Sequence, residues 1–550
     1  MRGMMMDVPL MISSIITYAA RFHGDAEIVS RSVEGPIHRY TYREAAARSA
    51  QLAHALRALG VEPSDRIGTL AWNTYRHFEL YYGVSGIGAV CHTVNPRLHP
   101  EQIAYIINHA DDRYLFLDLT FVPLVEALVD QLPNVRGYVI LTGEQTMPAT
   151  TLPNAMCYET LLAAQPQTID WPVFDENTAS SLCYTSGTTG EPKGAMYSHR
   201  STILHAYSGC MAEMMNVKPG MQRALMPIVP MFHVNAWGFP YCAPMMGAKL
   251  ILPGPLHDAA SLFELMDGES ATAAGAVPVI WLGMLAYLNE TGKNLDKLGS
   301  LRVGGSAAPV SMIEAYEARG IVVIHGWGMT ETSPVCTTGS LKPHHRVSPD
   351  RLKWQMKAGR MVYGVDMKIV DDDGNRLPDD GESQGELCVR GAWVIGAYYD
   401  NPEATAFSFT PDGWFRTGDI ASLDPDGYLT IHDRSKDLIK SGGEWISSID
   451  LENIAIAHPA VHEAAVIACR HPKWDERPLL VVVPKPGVTV TREELLRFFE
   501  GKIAKWQIPD DVAVVAELPH TATGKLQKLR LREQFRDHVL PTAGTNPTTA

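Results

Sequence analysis

The sequence lacks any uninterrupted run of about 18 apolar residues, the length that a helix needs to cross a membrane. No membrane-spanning helix is therefore expected in its 550 residues. The first ten residues do not make a convincing signal peptide either, because Asp7 and Pro9 interrupt the apolar stretch and no small-residue cleavage site follows cleanly. These absences favour a cytoplasmic protein.

Cysteine motifs are also missing. The eight cysteines lie singly in apolar stretches, and neither a CxxC pair nor a His/Cys cluster occurs. The patterns typical of a structural zinc site or a redox pair are therefore absent. Buried, reduced thiols are the expected state, as in other proteins of a reducing compartment.

Positive charge is in deficit, with 47 lysines and arginines against 61 aspartates and glutamates, a formal net charge of −14. Nonspecific nucleic-acid binding needs an excess of cations and is therefore not expected. The composition, 46% apolar and 20% charged, is typical of a soluble globular protein. A chain of this length predicts two or three packed units rather than one core.

Strand and helix patterns alternate from about residue 40. Thr41-Tyr-Arg-Glu44 predicts a capping box that opens a helix ending near Gly60. Arg66–Trp72 and Lys249–Leu252 are among the short apolar strand candidates, and a helix is expected near residues 122–131. The predicted fold class is α/β, with a large N-terminal domain of layered sheets that contain parallel strands.

The pattern changes after about residue 360, where short strands are separated by Asp/Gly/Pro turns. We expect a small β-barrel-like antiparallel subdomain at about 360–433, which closes an N-terminal domain of residues 1–433. A hinge is predicted at 434–437 and a small, mobile α+β C-terminal domain at 438–540. Residues 541–550 are rich in Thr, Pro, Gly and Ala and are expected to be disordered.

The most informative motif is Tyr184-Thr-Ser-Gly-Thr-Thr-Gly-Glu-Pro-Lys-Gly194, which follows a predicted strand. Glycines let backbone N–H groups approach a phosphate, and Ser/Thr hydroxyls add donors. The lysine spacing does not fit a Walker A loop, and composition alone leaves an ordinary solvated loop open. The candidate phosphate-binding residues are Thr185, Ser186, Gly187, Thr188, Thr189, Gly190 and Lys193.

As a complete string, this motif closely resembles the phosphate-binding signature of the adenylate-forming superfamily, which includes acyl-CoA synthetases, nonribosomal adenylation domains and beetle luciferases. Four further segments occur in that family's order, so the resemblance extends from about residue 40 to 530. It implies ATP, Mg²⁺ and coenzyme A as ligands. Homodimerisation is a further expectation from the family.

The second segment is His325-Gly-Trp-Gly-Met-Thr-Glu-Thr332. The resemblance implies that Trp327, where many relatives carry Tyr, stacks on adenine and that Thr330 contacts phosphate. It also implies that Glu331 holds Mg²⁺ together with Thr188, consistent with the preference of that cation for hard oxygen ligands. Gly328 and Met329 complete the nucleotide-binding candidates of this segment.

The remaining segments bring in the rest of the nucleotide site. The resemblance implies that Asp419 binds the ribose hydroxyls and that Arg434 adds a cation near ribose and phosphate. Lys436 falls at the family's hinge position. Lys525, in Pro519-His-Thr-Ala-Thr-Gly-Lys-Leu526, aligns with the catalytic lysine, which stabilises charge on the α-phosphate.

Coenzyme A is expected to use a second orientation of the C-terminal domain. In the family this domain rotates about the hinge, withdraws the lysine and opens a tunnel for pantetheine. Gly442, Gly443 and Trp445 are expected to approach coenzyme A in that state. Three further residues are expected to form a wall beside adenine and the carboxylate end of the acid: Gly304, Ser306 and Ala307.

The acid is expected to meet Pro230-Met-Phe-His-Val-Asn-Ala-Trp-Gly238. This segment has no carboxylate to hold an ammonium group, so an amino-acid substrate is disfavoured. Trp237 matches the tryptophan that gates the acyl tunnel of fatty-acyl-CoA synthetases, although simple packing under the sheet remains open. Val234 is a substrate candidate. His233 is a catalytic candidate, expected to pack beside the acyl-AMP rather than to act as a general base, because a carboxylate nucleophile needs no base.

The predicted function is AMP-forming acyl-CoA synthesis through an acyl-adenylate. The whole sequence looks closest to the fatty-acid and 3-methylmercaptopropionate CoA-ligase branch, which points to a short-to-medium apolar acid, with 3-methylmercaptopropionate favoured. Medium- or long-chain fatty acids and aryl acids remain alternatives. Two other classes, a luciferase-like oxidoreductase and a noncatalytic acyl-AMP-binding protein, share the adenylate motifs.

Overall fold

The computed structural model describes residues 1, 3–185, 191–211, 222–441, 444–520 and 526–544. The strands are β1 Glu27–Arg31, β2 Ile37–Thr41, β3 Arg66–Leu70, β4 Val90–Thr93, β5 Asp112–Leu117, β6 Gly137–Ile140, β7 Ala155–Cys157, β8 Ala179–Tyr184, β9 Gly194–Ser198, β10 Ala224–Pro227, β11 Lys249–Leu252, β12 Ala273–Ala276, β13 Ser300–Val303, β14 Val322–His325, β15 Thr337–Thr338, β16 Arg360–Met361, β17 Val365–Val370, β18 Gly385–Gly391, β19 Phe415–Leu423, β20 Leu429–Arg434, β21 Ile439–Ser441, β22 Glu444–Ile446, β23 Val461–His471, β24 Asp475–Pro484 and β25 Asp511–Val514.

The helices connect and cover these strands. They are α1 Ile12–Phe22, α2 Tyr42–Ala58, α3 Tyr75–Gly83, α4 Pro100–Ala110, α5 Val122–Glu126, α6 Tyr158–Ala163, α7 His199–Cys210, α8 Phe239–Met245, α9 Ala259–Gly268, α10 Pro278–Thr291, α11 Val310–Glu317, α12 Pro343–Arg346, α13 Arg351–Gln355, α14 Pro402–Phe407, α15 Ser448–Ile456, α16 Arg492–Phe499 and α17 Lys528–Gln534. Within the described ranges, no helix is both long enough and apolar enough to span a membrane.

Two seven-stranded sheets form the large N-terminal part of the molecule. One has the order β7-β6-β5-β3-β4-β8-β9 and the other β14-β13-β12-β10-β11-β1-β2. Neighbouring strands run parallel except for the antiparallel pairs β8–β9 and β1–β2. Inner strands such as β11 are buried almost throughout, as sheets covered on both faces require. The predicted α/β class with parallel sheets is confirmed.

Local sequence signals explain where several helices begin. The Thr41 side chain accepts from the Glu44 backbone, and the Glu44 side chain accepts from the Thr41 backbone, so the predicted capping box opens α2. The helix expected near 122–131 is shorter, because α5 ends at Glu126 and a separate 3₁₀ turn covers Val129–Gln131. Leu128 and Leu132 flank this turn, and both are buried. Short 3₁₀ turns often act as such connectors.

Strands β17 to β20 form an antiparallel sheet in which neighbouring strands are consecutive in the chain, as expected from the turn-rich sequence. It is open rather than barrel-like, since β17 and β20 do not pair with each other within the described ranges. Its apolar face is covered by residues of a neighbouring sheet, including Ala195 and Tyr197, which share a core cluster with Met367 and Leu387. The sheet therefore buries its core face without closing on itself.

The C-terminal region is a smaller α+β unit. β22-β21-β24-β23 form an antiparallel sheet, and β25 adds a parallel pairing to β24. The predicted hinge at 434–437 lies between the end of β20 and the start of β21. Residues 541–544, expected to be disordered, instead form a 3₁₀ turn that follows the buried Leu540. Residues 545–550 lie outside the described residues.

Candidate active site

A cleft of about 2940 Å³ separates the two large sheets from the C-terminal region. Most of the predicted site residues line it, although they come from segments more than 200 residues apart. They are Thr185, Lys193, His233, Val234, Trp237, Gly304, Ser306, Ala307, Trp327, Gly328, Met329, Thr330, Glu331, Asp419, Arg434 and Lys436. Eight other predicted residues lie outside the described part of the chain: Ser186, Gly187, Thr188, Thr189, Gly190, Gly442, Gly443 and Lys525.

The two ends of the phosphate-loop candidate are tied together. The Thr185 backbone N–H donates to the Lys193 carbonyl at 2.9 Å, and the Lys193 backbone N–H donates to Thr185 Oγ1 at 3.2 Å. These bonds continue the antiparallel pairing of β8 and β9 to the base of the loop. Lys193 Nζ lies 5.1 Å from the Tyr398 ring centroid, so the lysine extends beside an aromatic face at the cleft.

Asp419, in the middle of β19, is the centre of a polar cluster. Its carboxylate accepts from Trp327 Nε1 at 3.0 Å and pairs with Arg434 Nε at 2.7 Å. The carboxylate is almost fully buried, whereas the Arg434 side chain is 40% exposed. Trp327 and Arg434 are 92 and 15 positions from Asp419 in the sequence. The contacts bring them together and fix the indole edge beside the carboxylate.

Glu331 lies on a 3₁₀ turn that follows β14, and it is 6% exposed. Tyr398 donates to Glu331 Oε1 at 2.7 Å, and the Ile395 backbone N–H donates to the Glu331 carbonyl at 2.9 Å. Burial and the neighbouring Glu331 carboxylate raise the pKa of Tyr398 well above its ordinary value. Tyr197 donates to the Thr330 carbonyl at 2.5 Å and fixes the same turn from β9.

Tyr398 was not among the predicted residues. It contacts both the Lys193 ammonium and the Glu331 carboxylate, and so it joins the phosphate-loop candidate to the acidic turn. No local motif marks it, because its partners lie 205 and 67 residues earlier in the chain. A carboxylate beside the loop ends provides the hard oxygen ligands that suit Mg²⁺, so the donor set fits that ion.

Close backbone approaches explain the glycines of the His325–Thr332 motif. A Cβ at position 328 would lie 1.8 Å from the Pro334 carbonyl oxygen, and one at position 326 would lie 2.9 Å from the Thr337 carbonyl oxygen. Any side chain at position 328 would therefore push the turn apart. The close backbone approach at position 328 therefore helps to hold the turn that carries Glu331.

Trp237 lies on an unusual left-handed turn. Four successive residues other than glycine, 234–237, have φ between +46° and +55°, and Gly238 follows at +80°. Asn235 anchors the turn, since its side chain accepts from Tyr81 at 3.1 Å and donates to Ser181 at 3.0 Å. The Trp237 indole is directed against the sheet, where its Cη2 lies 3.2 Å from the position of a Cβ on Gly304.

On the C-terminal side, His520, Leu526 and Gln527 line the cleft and flank residues 521–525. His520 and Leu526 form an antiparallel bridge, and the Gln527 backbone N–H donates to the Pro519 carbonyl at 2.8 Å. The base of the segment that carries Lys525 is therefore closed at the cleft. Trp445 is not brought to this site: it is 45% exposed on β22 and packs beside Lys440.

A buried charged network near the predicted hinge was also missed. Asp433 Oδ2 accepts from the backbone and the hydroxyl of Ser448 at 2.7 and 2.6 Å, and Lys528 donates to the same hydroxyl. Lys528 also pairs with Glu452 at 2.7 Å. Burial alone would lower the pKa of Lys528, but the carboxylates of Glu452 and Asp433 outweigh it and raise that pKa.

Comparison with known proteins agrees with this arrangement of fold and site. The AMP-binding enzyme family matches residues 16–399, and the AMP-binding enzyme C-terminal domain matches residues 450–525. The chain belongs to the AMP-binding enzyme family, and the predicted resemblance is confirmed.

Individual relatives extend the match along nearly the whole chain. The chain is 52% identical over 540 residues to a 3-methylmercaptopropionyl-CoA ligase of Ruegeria lacuscaerulensis, with 98% of this chain and 99% of the relative covered. It is 49% identical over 548 residues to a medium-chain-fatty-acid–CoA ligase of Ectopseudomonas oleovorans, with 99% of this chain and 100% of the relative covered. An anthranilate CoA ligase in complex with anthranoyl-AMP superposes with a TM-score of 0.85 at 26% identity, covering 96% of this chain and 98% of that one.

Proposed function

We propose that this protein converts a short-to-medium, unbranched apolar acid into its CoA thioester, with 3-methylmercaptopropionate as the favoured substrate. The chain is an AMP-forming acyl-CoA ligase, which uses ATP and coenzyme A. The observation that carries the choice of acid is the position of Trp237 against Gly304, because a bulky indole there occupies part of the same cleft that Trp327, Asp419 and Arg434 line.

The first half-reaction joins the acid carboxylate to the α-phosphorus of ATP and releases pyrophosphate. In the proposal, Trp327 stacks on adenine, Asp419 accepts from the ribose hydroxyls and Arg434 adds positive charge. Their contacts support these roles, because the three groups already form one cluster. Lys525 stabilises the charge that develops on the α-phosphate, in the way that oriented donors stabilise other transition states.

Glu331 and Thr188 are the proposed Mg²⁺ ligands, with Thr330 at the phosphates. The ion supplies positive charge that neutralises the departing pyrophosphate. The Tyr398 bond to Glu331 and the Lys193–Tyr398 contact support this role, because they hold the carboxylate beside the ends of the phosphate-loop candidate. Met329, Gly328, Ser306 and Ala307 complete the nucleotide wall.

In the second half-reaction the CoA thiolate attacks the acyl carbon, and AMP leaves. We assign the hinge to Lys436, about which the 438–540 domain rotates after adenylation. Gly442, Gly443 and Trp445 then approach coenzyme A. The exposure of Trp445 away from the cleft supports a role in a different domain orientation.

The acid is proposed to lie along His233, Val234 and Trp237, with its carboxylate near Gly304. Val234 is buried, and both it and Trp237 line the cleft. A medium- or long-chain fatty acid is the second candidate, since Phe239 and Cys242 add further apolar lining to the cavity that Trp237 lines. His233 contacts the acyl-adenylate in either case.

An acid panel tests the substrate. The enzyme is incubated with ATP, Mg²⁺, coenzyme A and straight-chain acids of increasing length, including 3-methylmercaptopropionate, and AMP and thioester are measured. We expect the highest kcat/KM for the short thioether acid. A maximum at medium or long alkyl chains would favour the second candidate. If no acid supports ATP–pyrophosphate exchange, the protein is a noncatalytic binding protein. If it emits light with luciferin, it is an oxidoreductase.

A split of the half-reactions tests Lys525. Lys525→Ala is expected to abolish adenylation but largely spare thioester formation from supplied acyl-AMP, because only the first step builds charge on the α-phosphate. Lys473→Ala, a substitution of an exposed lysine beside Trp474, is the control and should affect neither step. Equal loss of both steps in Lys525→Ala would contradict this division of roles.

We also propose a cytoplasmic location and a homodimer. All eight cysteines are free, which supports a reducing compartment. The homodimer is an expectation from the family alone. Size-exclusion chromatography with light scattering distinguishes a monomer, with a mass of 60.4 kDa, from a dimer of twice that mass.

A further inference from the structure

Two adjacent histidines and an aspartate converge at one place on the molecule. His344 and His345 lie on the short helix α12, and Asp426 lies in the turn between β19 and β20. Asp426 Oδ2 is 2.8 Å from His345 Nε2 and 3.3 Å from His344 Nε2. One nitrogen or oxygen atom from each of the three residues lies within 4.8 Å of the other two. The sequence shows only the pair of histidines, because the carboxylate comes 81 residues after His345.

These distances are close to those of a metal centre. Zn²⁺ binds histidine nitrogens and carboxylate oxygens at about 2.0–2.2 Å, so two ligands of a tetrahedral ion are about 3.3 Å apart. The distances from Asp426 to the two rings are already near this value, and small side-chain rotations bring all three atoms around one ion. Imidazole ligands suit zinc and the neighbouring transition metals, whereas Mg²⁺ and Ca²⁺ take oxygen ligands.

Neighbouring side chains hold two of the three residues in place. The His345 ring stacks on Trp354 with the ring centroids 3.6 Å apart, and His345 is 7% exposed. Lys342 Nζ donates to Asp426 Oδ1 at 2.6 Å, so the histidines meet the other oxygen. Hydrogen bonds from Lys342 and His345 hold the pKa of Asp426 well below its ordinary value, and the carboxylate is therefore ionised at neutral pH. His344, by contrast, is 62% exposed, which leaves one side of the cluster open to water.

We propose that His344, His345 and Asp426 bind a divalent transition-metal ion such as Zn²⁺. In the bound site each histidine Nε2 gives up its hydrogen bond to the carboxylate and ligates the ion through its lone pair. Water on the exposed side supplies the fourth ligand of a tetrahedral ion. The ion then joins α12 to the turn between β19 and β20. This site is separate from the proposed acid and nucleotide positions, and it does not depend on which acid the enzyme uses.

The ammonium group of Lys342 opposes a second cation at the same carboxylate. The Lys342 side chain is 33% exposed, so it can turn towards water when an ion binds to Asp426. Lys342→Met removes the repulsion between the two cations. We expect this variant to bind Zn²⁺ about three- to tenfold more tightly than the wild type, as the repulsion of nearby charges in water allows.

Competition with a chromophoric zinc indicator measures the affinity of the full-length protein for Zn²⁺. Excess Mg²⁺ is present to occupy sites made of oxygen ligands alone. We expect the wild type to bind one Zn²⁺ per chain that His344→Ala and Asp426→Asn bind at least about tenfold more weakly. Loss of a residue behind the ligands already costs about 10- to 100-fold in metal affinity, and loss of a ligand should cost no less. The exposed position of His344 makes His344→Ala safe for folding.

His538→Ala is the matched control. His538 Nε2 also contacts a carboxylate, that of Asp511, at 2.9 Å. No second histidine completes a trio there within the described part of the chain, so this variant should keep the wild-type affinity for Zn²⁺. Thermal unfolding gives a second measurement, because an ion that binds only the folded state stabilises it. Excess Zn²⁺ should raise the Tm of the wild type and of His538→Ala more than that of His344→Ala.

The identity of the ligands is tested with Co²⁺. Its visible spectrum in the wild type should lack a thiolate charge-transfer band, because the proposed ligands include none of the eight free cysteines. A thiolate band would contradict the proposal, as would equal Zn²⁺ affinities of the wild type and His344→Ala. Weaker binding in Lys342→Met would contradict it too, because a cation at Asp426 is repelled by the ammonium group. A wild type that takes up no Zn²⁺ would overturn the site altogether.

Discussion

Single residues at the cleft are held by partners that lie far away in the sequence. The Asp419 carboxylate accepts from the neutral indole of Trp327 and pairs with the cation of Arg434, and it is nearly fully buried. Charge-assisted hydrogen bonds of this kind are about twice as strong as neutral ones. The pair also orients the indole, so a change at position 419 reaches both the ribose and adenine positions of the proposed nucleotide site.

Asp419→Asn removes the charge that pairs with Arg434 and replaces one acceptor oxygen by a donor. We expect the KM for ATP to rise by about 10- to 100-fold, which corresponds to the loss of a hydrogen bond to a charged group. ATP–pyrophosphate exchange at varied ATP concentration measures this effect. Asp412→Asn is the control, because that carboxylate is 60% exposed and pairs only with Lys368 and Thr410 among the described contacts.

Buried histidines make stability depend on pH. Burial lowers the pKa of His77, His199 and His205 to about 4 in the folded protein, whereas an unfolded histidine titrates near 6.5. The folded state therefore prefers the neutral rings. This stabilisation is complete above pH 6.5, decreases as the pH falls towards 4, and amounts to about 3 kcal/mol for each histidine.

His199→Asn tests this linkage. The asparagine side chain can still accept from the Ile12 backbone N–H, which His199 Nδ1 receives at 3.1 Å. Between pH 6.5 and 4 the free energy of unfolding of the variant should fall less steeply with pH than that of the wild type. The two slopes should differ by at most about 1.4 kcal/mol per pH unit, which corresponds to one proton. Urea unfolding across this range provides the slopes. His99→Asn, at an exposed histidine, should keep the wild-type slope.

At the scale of elements, the left-handed turn at 234–238 places backbone strain at the cleft. Each left-handed residue other than glycine costs about 1–2 kcal/mol, so the four residues 234–237 store several kcal/mol together. The Asn235 bonds and the burial of Val234 and Ala236 hold this conformation. Strain of this size is retained at functional sites, and here it aims Trp237 at Gly304.

Gly238→Ala should disrupt this turn. A Cβ there would lie 2.9 Å from the His205 ring at a φ of +80°, so strain and a steric clash add. We expect a loss of about 2–4 kcal/mol in stability and a lower kcat/KM for short acids, because Trp237 shifts. Gly374→Ala is the matched control: its φ is +83°, but nothing lies within 4 Å. Equal losses in both variants would show that φ alone matters.

The elements differ in how far sequence could predict them. α2 was predictable because the capping box is local, and the buried strand Lys249–Leu252 because its apolar run is continuous. The left-handed turn was not, since its conformation depends on Tyr81 and Ser181 from other segments. The β17–β20 sheet was expected to close, but its core face is covered by residues such as Tyr197, which no local pattern reveals.

The residues of the candidate site also differ in how far sequence could predict them. Trp327, Glu331 and Asp419 were predictable because they lie in motifs that resemble a known family. Tyr398 was not, because its place at the site arises from its tertiary neighbours Lys193 and Glu331 rather than from spacing along the chain. Residues in short motifs can be assigned from sequence, whereas the groups that position them require coordinates.

For the whole molecule, the buried network of Asp433, Ser448, Glu452 and Lys528 joins the end of β20 to the C-terminal unit. Lys528 is at the start of α17, three residues after Lys525, and α15 carries Ser448 and Glu452. Arg532 of the same helix donates to Asp437 and to the Lys436 carbonyl. Any rotation about the predicted hinge must either break these contacts or move the contacting residues together.

Lys528→Met leaves Glu452 and Asp433 buried without their cation. Removal of one partner of a buried pair costs about 3–5 kcal/mol. Hydrogen exchange should therefore quicken in α15 and α17 but not in the two large sheets, and adenylation should slow. Lys473→Met, at an exposed lysine, serves as the control. Uniformly faster exchange throughout the chain would show that the network stabilises the molecule globally instead.

The thiol of Cys242 has a consequence for the lifetime of the catalyst. An acyl-adenylate is a mixed anhydride that acylates accessible thiolates, and Cys242 lines the cavity in which we propose that it forms. The neighbouring Cys210 and burial raise the pKa of the Cys242 thiol well above its ordinary value, and its S–H donates to the Ala206 carbonyl. A protonated thiol is a poor nucleophile. We therefore expect Cys242 to resist acylation by the intermediate, which leaves the thiol of coenzyme A as the sulfur nucleophile.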